Sequence, residues 1–175
     1  MTKRFLRIWA LALALTASLS FLCEAVPAET ASGTRIGPCI ALRAIDADSV
    51  DLQCGARALG VRLRNVAAPR PGQVGYGEAN RALSELVRAR ALYVVPETPG
   101  ELPLDPSGRV LAYLVDRSGA NLNVAFVLWG WATYSEDPGP SHLADSFRSA
   151  QASARTDQRA LWTVWSATAE GAPPR

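Results

Sequence analysis

Asp46 and Asp48 lie two apart in Ile45-Asp46-Ala47-Asp48-Ser49-Val50. Arg62 follows in Val61-Arg62-Leu63-Arg64-Asn65-Val66, and Arg109 ends Asp105-Pro106-Ser107-Gly108-Arg109. Paired carboxylates with two separated arginines are the groups that metal-assisted phosphodiester hydrolysis draws on. Oxygen ligands hold a hard divalent cation, a carboxylate positions or deprotonates water, and guanidinium groups take up the phosphate charge. The segment Val66-Ala67-Ala68-Pro69-Arg70, between the two arginines, contributes no carboxylate and adds a third arginine. Arginine stays protonated at any relevant pH and cannot act as a base.

These residues need a scaffold, and the hydropathy pattern supplies one. Residues 38–45 and 49–54 read as a hairpin turning at Asp46-Ala47, and residues 59–66 read as a third strand. The breakers in residues 69–75 keep that loop irregular. Ala79, Ala82, Leu83, Leu86 and Val87 fall on one helical face, with Glu78, Arg81, Glu85 and Arg88 on the other. Residues 92–95 and 110–115 are the fourth and fifth strands, and a short helix over 122–129 is stopped by Gly130. Ser141 is placed to cap a last helix that turns Leu143, Phe147, Ala150 and Ala154 inward. Five strands and about three helices predict an α+β chain built on a small closed barrel. No internal repeat is present.

The ordered motifs resemble those of the staphylococcal nuclease (thermonuclease-like) family. That family shows Asp-Gly-Asp-Thr, Arg-Leu, Asp-Thr-Pro-Glu or Asp-Ala-Pro-Glu, Tyr-Gly-x-Glu-Ala, and Asp-x-x-Gly-Arg-x-Leu-Ala-Tyr. This chain has Asp46-Ala47-Asp48-Ser49, Arg62-Leu63, Ala67-Ala68-Pro69-Arg70, Tyr76-Gly77-Glu78-Ala79-Asn80, and Asp105-Pro106-Ser107-Gly108-Arg109-Val110-Leu111-Ala112-Tyr113. Leu122-Asn123, Trp129-Gly130-Trp131-Ala132, Ala154-Arg155 and Leu161-Trp162 extend the likeness, which runs from Arg35 to Trp162. The resemblance implies an OB-fold, a five-stranded barrel that binds nucleic acids or sugars on one face.

Position by position, the resemblance makes Asp48 the first calcium carboxylate and Asp46 its outer-sphere neighbour. Arg62 becomes a phosphate-binding arginine, and Arg109 the one that stabilises the transition state. The family's second calcium carboxylate is replaced by Ala67, and Ala68 stands where a backbone carbonyl ligates. Arg70 replaces the water-positioning glutamate, and Ser107 replaces a tyrosine. Glu78 matches a structural glutamate and is not expected to serve as a substitute base. A guanidinium about 5 Å from a divalent cation adds roughly 6 kcal/mol of repulsion at an effective dielectric of about 20. Arg70 is therefore expected to fill the vacated space and pair with Asp48. The function that follows is a catalytically impaired nuclease-fold protein with no cofactor, binding a phosphate-bearing ligand or nucleic acid weakly in an arginine-lined pocket. The alternative is a working calcium-dependent nuclease with rearranged acids.

The N-terminus reads as a targeting segment. Lys3, Arg4 and Arg7 precede an apolar run from Ile8 to Leu22, and Ala25 and Ala28 offer cleavage sites, so residues 1–25 are predicted to be a signal peptide. The run is broken by Thr16, Ser18 and Ser20 and is shorter than the roughly 20 residues of a membrane span. Lipid attachment at Cys23 would follow the bulky Phe21-Leu22, a poor context for it. The expected organisation is a flexible leader over 26–34, a nuclease-like domain over 35–165 and a frayed tail over 166–175. Export to the periplasm or the medium follows. Taking Lys3, Arg4 and Arg7 from the 18 basic residues and Glu24 from the 16 acidic ones leaves the mature charges balanced. A neutral molecule lacks the electrostatic reach of a strong non-specific DNA binder.

Cleavage leaves Cys39 and Cys54. The predicted hairpin sets them opposite each other, close enough for a disulfide under oxidising conditions. His142, the lone histidine, has no cysteine or carboxylate at ligand spacing and is not expected to hold zinc. No Gly-rich phosphate loop precedes a helix. Trp129, Trp131, Trp162 and Trp165 are expected to pack rather than to stack on bases.

Overall fold

The computed structural model describes residues 35–167. The predicted signal peptide, the leader, Cys23 and most of the predicted tail lie outside the described residues. In chain order come strands β1 (Ile36–Asp46), β2 (Ser49–Cys54), β3 (Arg57–Leu63) and β4 (Val66–Ala67), then helix α1 (Tyr76–Val87) and strands β5 (Leu92–Val95) and β6 (Val110–Asp116). Helix α2 (Leu122–Leu128), strand β7 (Thr133–Tyr134) and helices α3 (Ala144–Thr156) and α4 (Trp162–Trp165) complete them. Five strands close a barrel in the order β1-β2-β3-β6-β5, with β5 returning to β1, while β4 and β7 pair in a separate small sheet. The predicted α+β class and closed OB-like barrel are what the chain forms.

Alternation along the strands explains the closure. Val50 and Leu52 of β2, Val61 and Leu63 of β3, Leu92 and Val94 of β5, and Val110, Ala112 and Leu114 of β6 turn inward and are almost fully buried. Helix α1 buries Ala79, Leu83, Leu86 and Val87, the face its periodicity predicts. It starts directly after Gly75, whose φ of 87° is left-handed and where an added Cβ would lie 2.5 Å from Leu161 Cδ2. Gly130 (φ 81°) ends α2 as predicted.

The hairpin register departs from the expected one in an instructive way. Asp46 pairs with Ser49, so the turn is Ala47-Asp48 and not Asp46-Ala47. Irregularities between Ala41 and Arg43, and between Ala44 and Asp46, each slip the register, and Cys39 still faces Cys54. The two cysteines form a disulfide with Cα atoms 4.2 Å apart.

Two further expectations need correction. The third strand stops at Leu63 because Asn65 is left-handed (φ 60°) and donates its amide to the carbonyls of Ser135 and Gly139; Val66 then pairs with Tyr134. Ser141 does not cap α3, which starts at Ala144 after Leu143 without a side-chain cap. Its hydroxyl accepts from the Leu143 N–H (2.9 Å) and meets the Tyr113 hydroxyl at 2.6 Å, inside the polar cluster described below.

Candidate functional site

The β1–β2 turn places the two acids. The Asp48 N–H donates to Asp46 Oδ1 at 3.2 Å, the Asx arrangement that stabilises a tight turn. Ala47 between them is buried, so its methyl anchors the turn to the core. The Ser49 hydroxyl donates to Asp48 Oδ1 at 2.8 Å. Ser49 is directly opposite Arg62 on β3, and this register brings Arg62 Nε to 3.4 Å from Asp48 Oδ2.

Arg109, directly before β6, reaches the same place. A turn in which Asp105 Oδ1 accepts the N–H groups of Ser107 (2.8 Å) and Arg109 (2.9 Å) fixes its backbone. Its stem runs over Gly60, where a Cβ would stand 3.3 Å from Arg109 Cγ. Its guanidinium ends 3.8 Å from Asp46 Oδ2. Strand β6 is itself pinned to the end of β3 by buried Asn123, which donates to the carbonyls of Arg64 (3.0 Å) and Ala112 (3.1 Å) and accepts from the Leu114 N–H.

Asp46, Asp48, Asp105, Arg62, Arg70 and Arg109, with Ser107, Ala68 and Pro69, line one open cleft of about 390 Å³. The structure thus gathers most of the predicted site. Ala67 is the exception: it does not line the cleft but lies in β4, its carbonyl accepting from the Thr133 hydroxyl at 3.3 Å. Exposed Glu78 is not in the cleft either. The expected Arg70–Asp48 pair does not form. Asp48 takes Arg62 instead, because the strand register holds those two together while Arg70 is exposed on the loop after β4.

Burial, reinforced by the neighbouring Asp46 carboxyl, pushes Asp48 up to about 6 against the lowering effect of the Ser49 hydroxyl and Arg62. Burial also acts on Asp46, but hydrogen bonds from the Asp48 carboxyl, Ser49 and the Asp48 N–H, together with Arg109, outweigh it and hold Asp46 below the usual carboxylate range.

Calcium takes six to eight oxygens, supplied largely by unengaged carboxylates and carbonyls. Here Asp46 and Asp48 each face a guanidinium, and Asp105 Oδ1 is committed to its own turn. Among the described residues no group of three or more His, Cys, Asp or Glu side chains is arranged to hold a metal ion. Both hairpin acids are thus engaged by guanidinium groups within the protein.

A second polar cluster, which sequence reasoning missed, lies outside the cleft. The Tyr113 hydroxyl meets Asn65 Oδ1, Glu97 Oε2 and Ser141 Oγ. Glu97 also faces Arg64 Nε at 3.5 Å and accepts from the His142 N–H at 2.8 Å, with His142 Nδ1 at 2.9 Å. His142 is therefore tied down by Glu97. These hydrogen bonds to Tyr113 and His142 overcome the effect of burial and hold Glu97 below the usual carboxylate range. Burial and the Glu97 charge push Tyr113 up to about 12. Only Tyr113 carried a signal, as the last residue of the Gly108-to-Tyr113 run; the others come from distant loops. Trp162 and Trp165 are buried edge to face as expected, while Trp129 is 43% exposed.

A closed OB-like barrel whose hairpin turn and two neighbouring strands deliver paired acids and arginines to one cleft defines the class. Residues 60–164 match the family model for the staphylococcal nuclease homologues, and the chain belongs to that family. The match takes in Arg62, the 67–70 segment and Arg109, and begins after the Asp46-Asp48 turn. No curated protein matches the chain. No helix among the described residues is long and apolar enough to cross a membrane.

Proposed function

We propose that this nuclease-family domain binds phosphate-bearing ligands, nucleic acid among them, through Arg62, Arg109 and Arg70, without calcium and with little or no hydrolysis. The observation that carries this reading is the composition of the cleft. An arginine occupies the loop where in-line attack needs a water-positioning carboxylate, and both hairpin acids already face guanidinium groups. What remains is a set of fork-shaped donors suited to phosphate oxygens. The targeting pattern before Ala25 and the Cys39–Cys54 disulfide support a place outside the cytoplasm, periplasmic or secreted.

The retained Asp48, Arg62 and Arg109 favour a second reading, an active calcium-dependent nuclease. The test is cleavage of single-stranded DNA by the purified mature protein, with calcium and with chelator. The expected result is binding in both conditions and cleavage in neither. Calcium-dependent cleavage lost in both Arg62→Ala and Arg109→Ala would establish the second reading.

A further inference from the structure

The cleft sets three acids, Asp46, Asp48 and Asp105, against three arginines, Arg62, Arg70 and Arg109, and has no formal excess of either charge. Its arginines are not equivalent. Arg62 and Arg109 are each matched to a hairpin acid, whereas Arg70 enters none of the ion pairs among the described residues, is exposed, and still lines the cleft. Its backbone is held firmly between Pro69 and Pro71. The Arg70 N–H donates to Gln73 Oε1 at 2.7 Å, and the Arg70 carbonyl accepts from the Gln73 N–H at 2.9 Å. Proline on both sides restricts the turn further. The result is an arginine on a fixed mount, with a planar fork of donors that no acceptor among the described residues uses.

We propose that Arg70 is the anchoring residue of the cleft and that it selects a terminal phosphate, a phosphomonoester dianion, over the internal phosphodiester of a nucleic acid strand. This rests on the reading of the cleft as a phosphate pocket. A monoester has three unsubstituted oxygens, so two can meet the Arg70 fork while the third faces Arg62 or Arg109. An internal diester has two such oxygens and half the charge. A long strand usually compensates through many phosphate contacts along a basic surface, but here the acids cancel the two flanking arginines. One unmatched guanidinium is best used by a ligand that concentrates charge at a single point. The cleft, at about 390 Å³, is in the size range of small-ligand sites.

The test compares one fluorescent single-stranded oligonucleotide with and without a terminal phosphate, by anisotropy, in chelator, on wild type, Arg70→Ala and Arg70→Lys. Wild type is expected to bind the phosphorylated probe about tenfold more tightly. Arg70→Ala abolishes that preference with the melting temperature unchanged, because the side chain is exposed, and Arg70→Lys restores it only in part for lack of the fork. Inorganic phosphate and a nucleoside monophosphate serve as competitors. Displacement by both marks a site for the free ion, displacement by the nucleotide alone marks a nucleotide end, and either keeps the proposal. Equal binding of the two probes, a preference that survives Arg70→Ala, or displacement by neither competitor overturns it and leaves the phosphate-pocket reading standing. Failure of both probes to bind without calcium overturns that reading as well.

Discussion

Tyr113 is almost fully buried, and its hydroxyl has three polar partners that depend on it. Tyr113→Phe removes the hydroxyl shared by Asn65, Glu97 and Ser141, and the expected loss is about 2 kcal/mol in denaturant unfolding. A loss below a few tenths would show that the cluster is not holding the fold. Glu97 gives the same cluster a pH dependence whose sign is fixed. Its folded-state affinity for a proton is lowered, so its stabilisation is present above the usual carboxylate range and is lost as pH falls through its depressed folded value. Glu97→Gln is therefore expected to flatten the acid limb of the stability profile and to destabilise the protein at neutral pH. Tyr113 acts at the other end. Its raised affinity keeps its contribution intact below the ordinary tyrosine value, and that contribution is lost as pH climbs toward about 12. An acid limb unchanged in Glu97→Gln would place the acid sensitivity elsewhere.

Elements decide which of these residues meet, and here the Cys39–Cys54 bond joins β1 to β2 at the end of the hairpin far from the acid turn. It closes a separation of 15 residues, for which chain entropy alone suggests about 3 kcal/mol of stabilisation. Reductant is expected to lower the melting temperature, and denaturing alkylation of the oxidised mature chain should find no free thiol. Two reactive thiols without reductant would refute the bond. The hairpin also shows how far elements could be read from sequence. Alternation found β1 and β2 and the facing cysteines, but it could not find irregularities that depend on closing the barrel, so the turn was placed one residue early. Strands β4 and β7, of two residues each, are too short to alternate, and the four-residue α4 is too short for helical periodicity. Motif order placed Asp46, Asp48, Arg62 and Arg109 at one site because strand register carries them there. Which acid each arginine would take, and which arginine would stay unmatched, depended on distances across the barrel that spacing does not encode.

At the scale of the whole molecule, charge sets how nucleic acid can be held. The full chain carries a formal charge of only +2, and the cleft is balanced, so net charge adds little attraction for a polyanion. Binding through one anchored phosphate releases few counterions, and each phosphate contact on a single strand contributes a slope of about −0.7 in log K against log salt. A site built on Arg70 with help from Arg62 or Arg109 corresponds to one or two contacts. The expected slope is about −1, and it should stay the same when the oligonucleotide is lengthened beyond the few nucleotides that cover the cleft. A channel for a continuous strand would behave differently, because each added nucleotide would bring another phosphate to a cation and steepen the slope. Titrations at several salt concentrations with short and long probes decide between them. A slope that grows with length would mean that arginines outside the cleft, such as Arg81 on the exposed face of α1 and Arg88 directly after it, form a track, and the molecule would then be a strand binder and not a reader of phosphate ends.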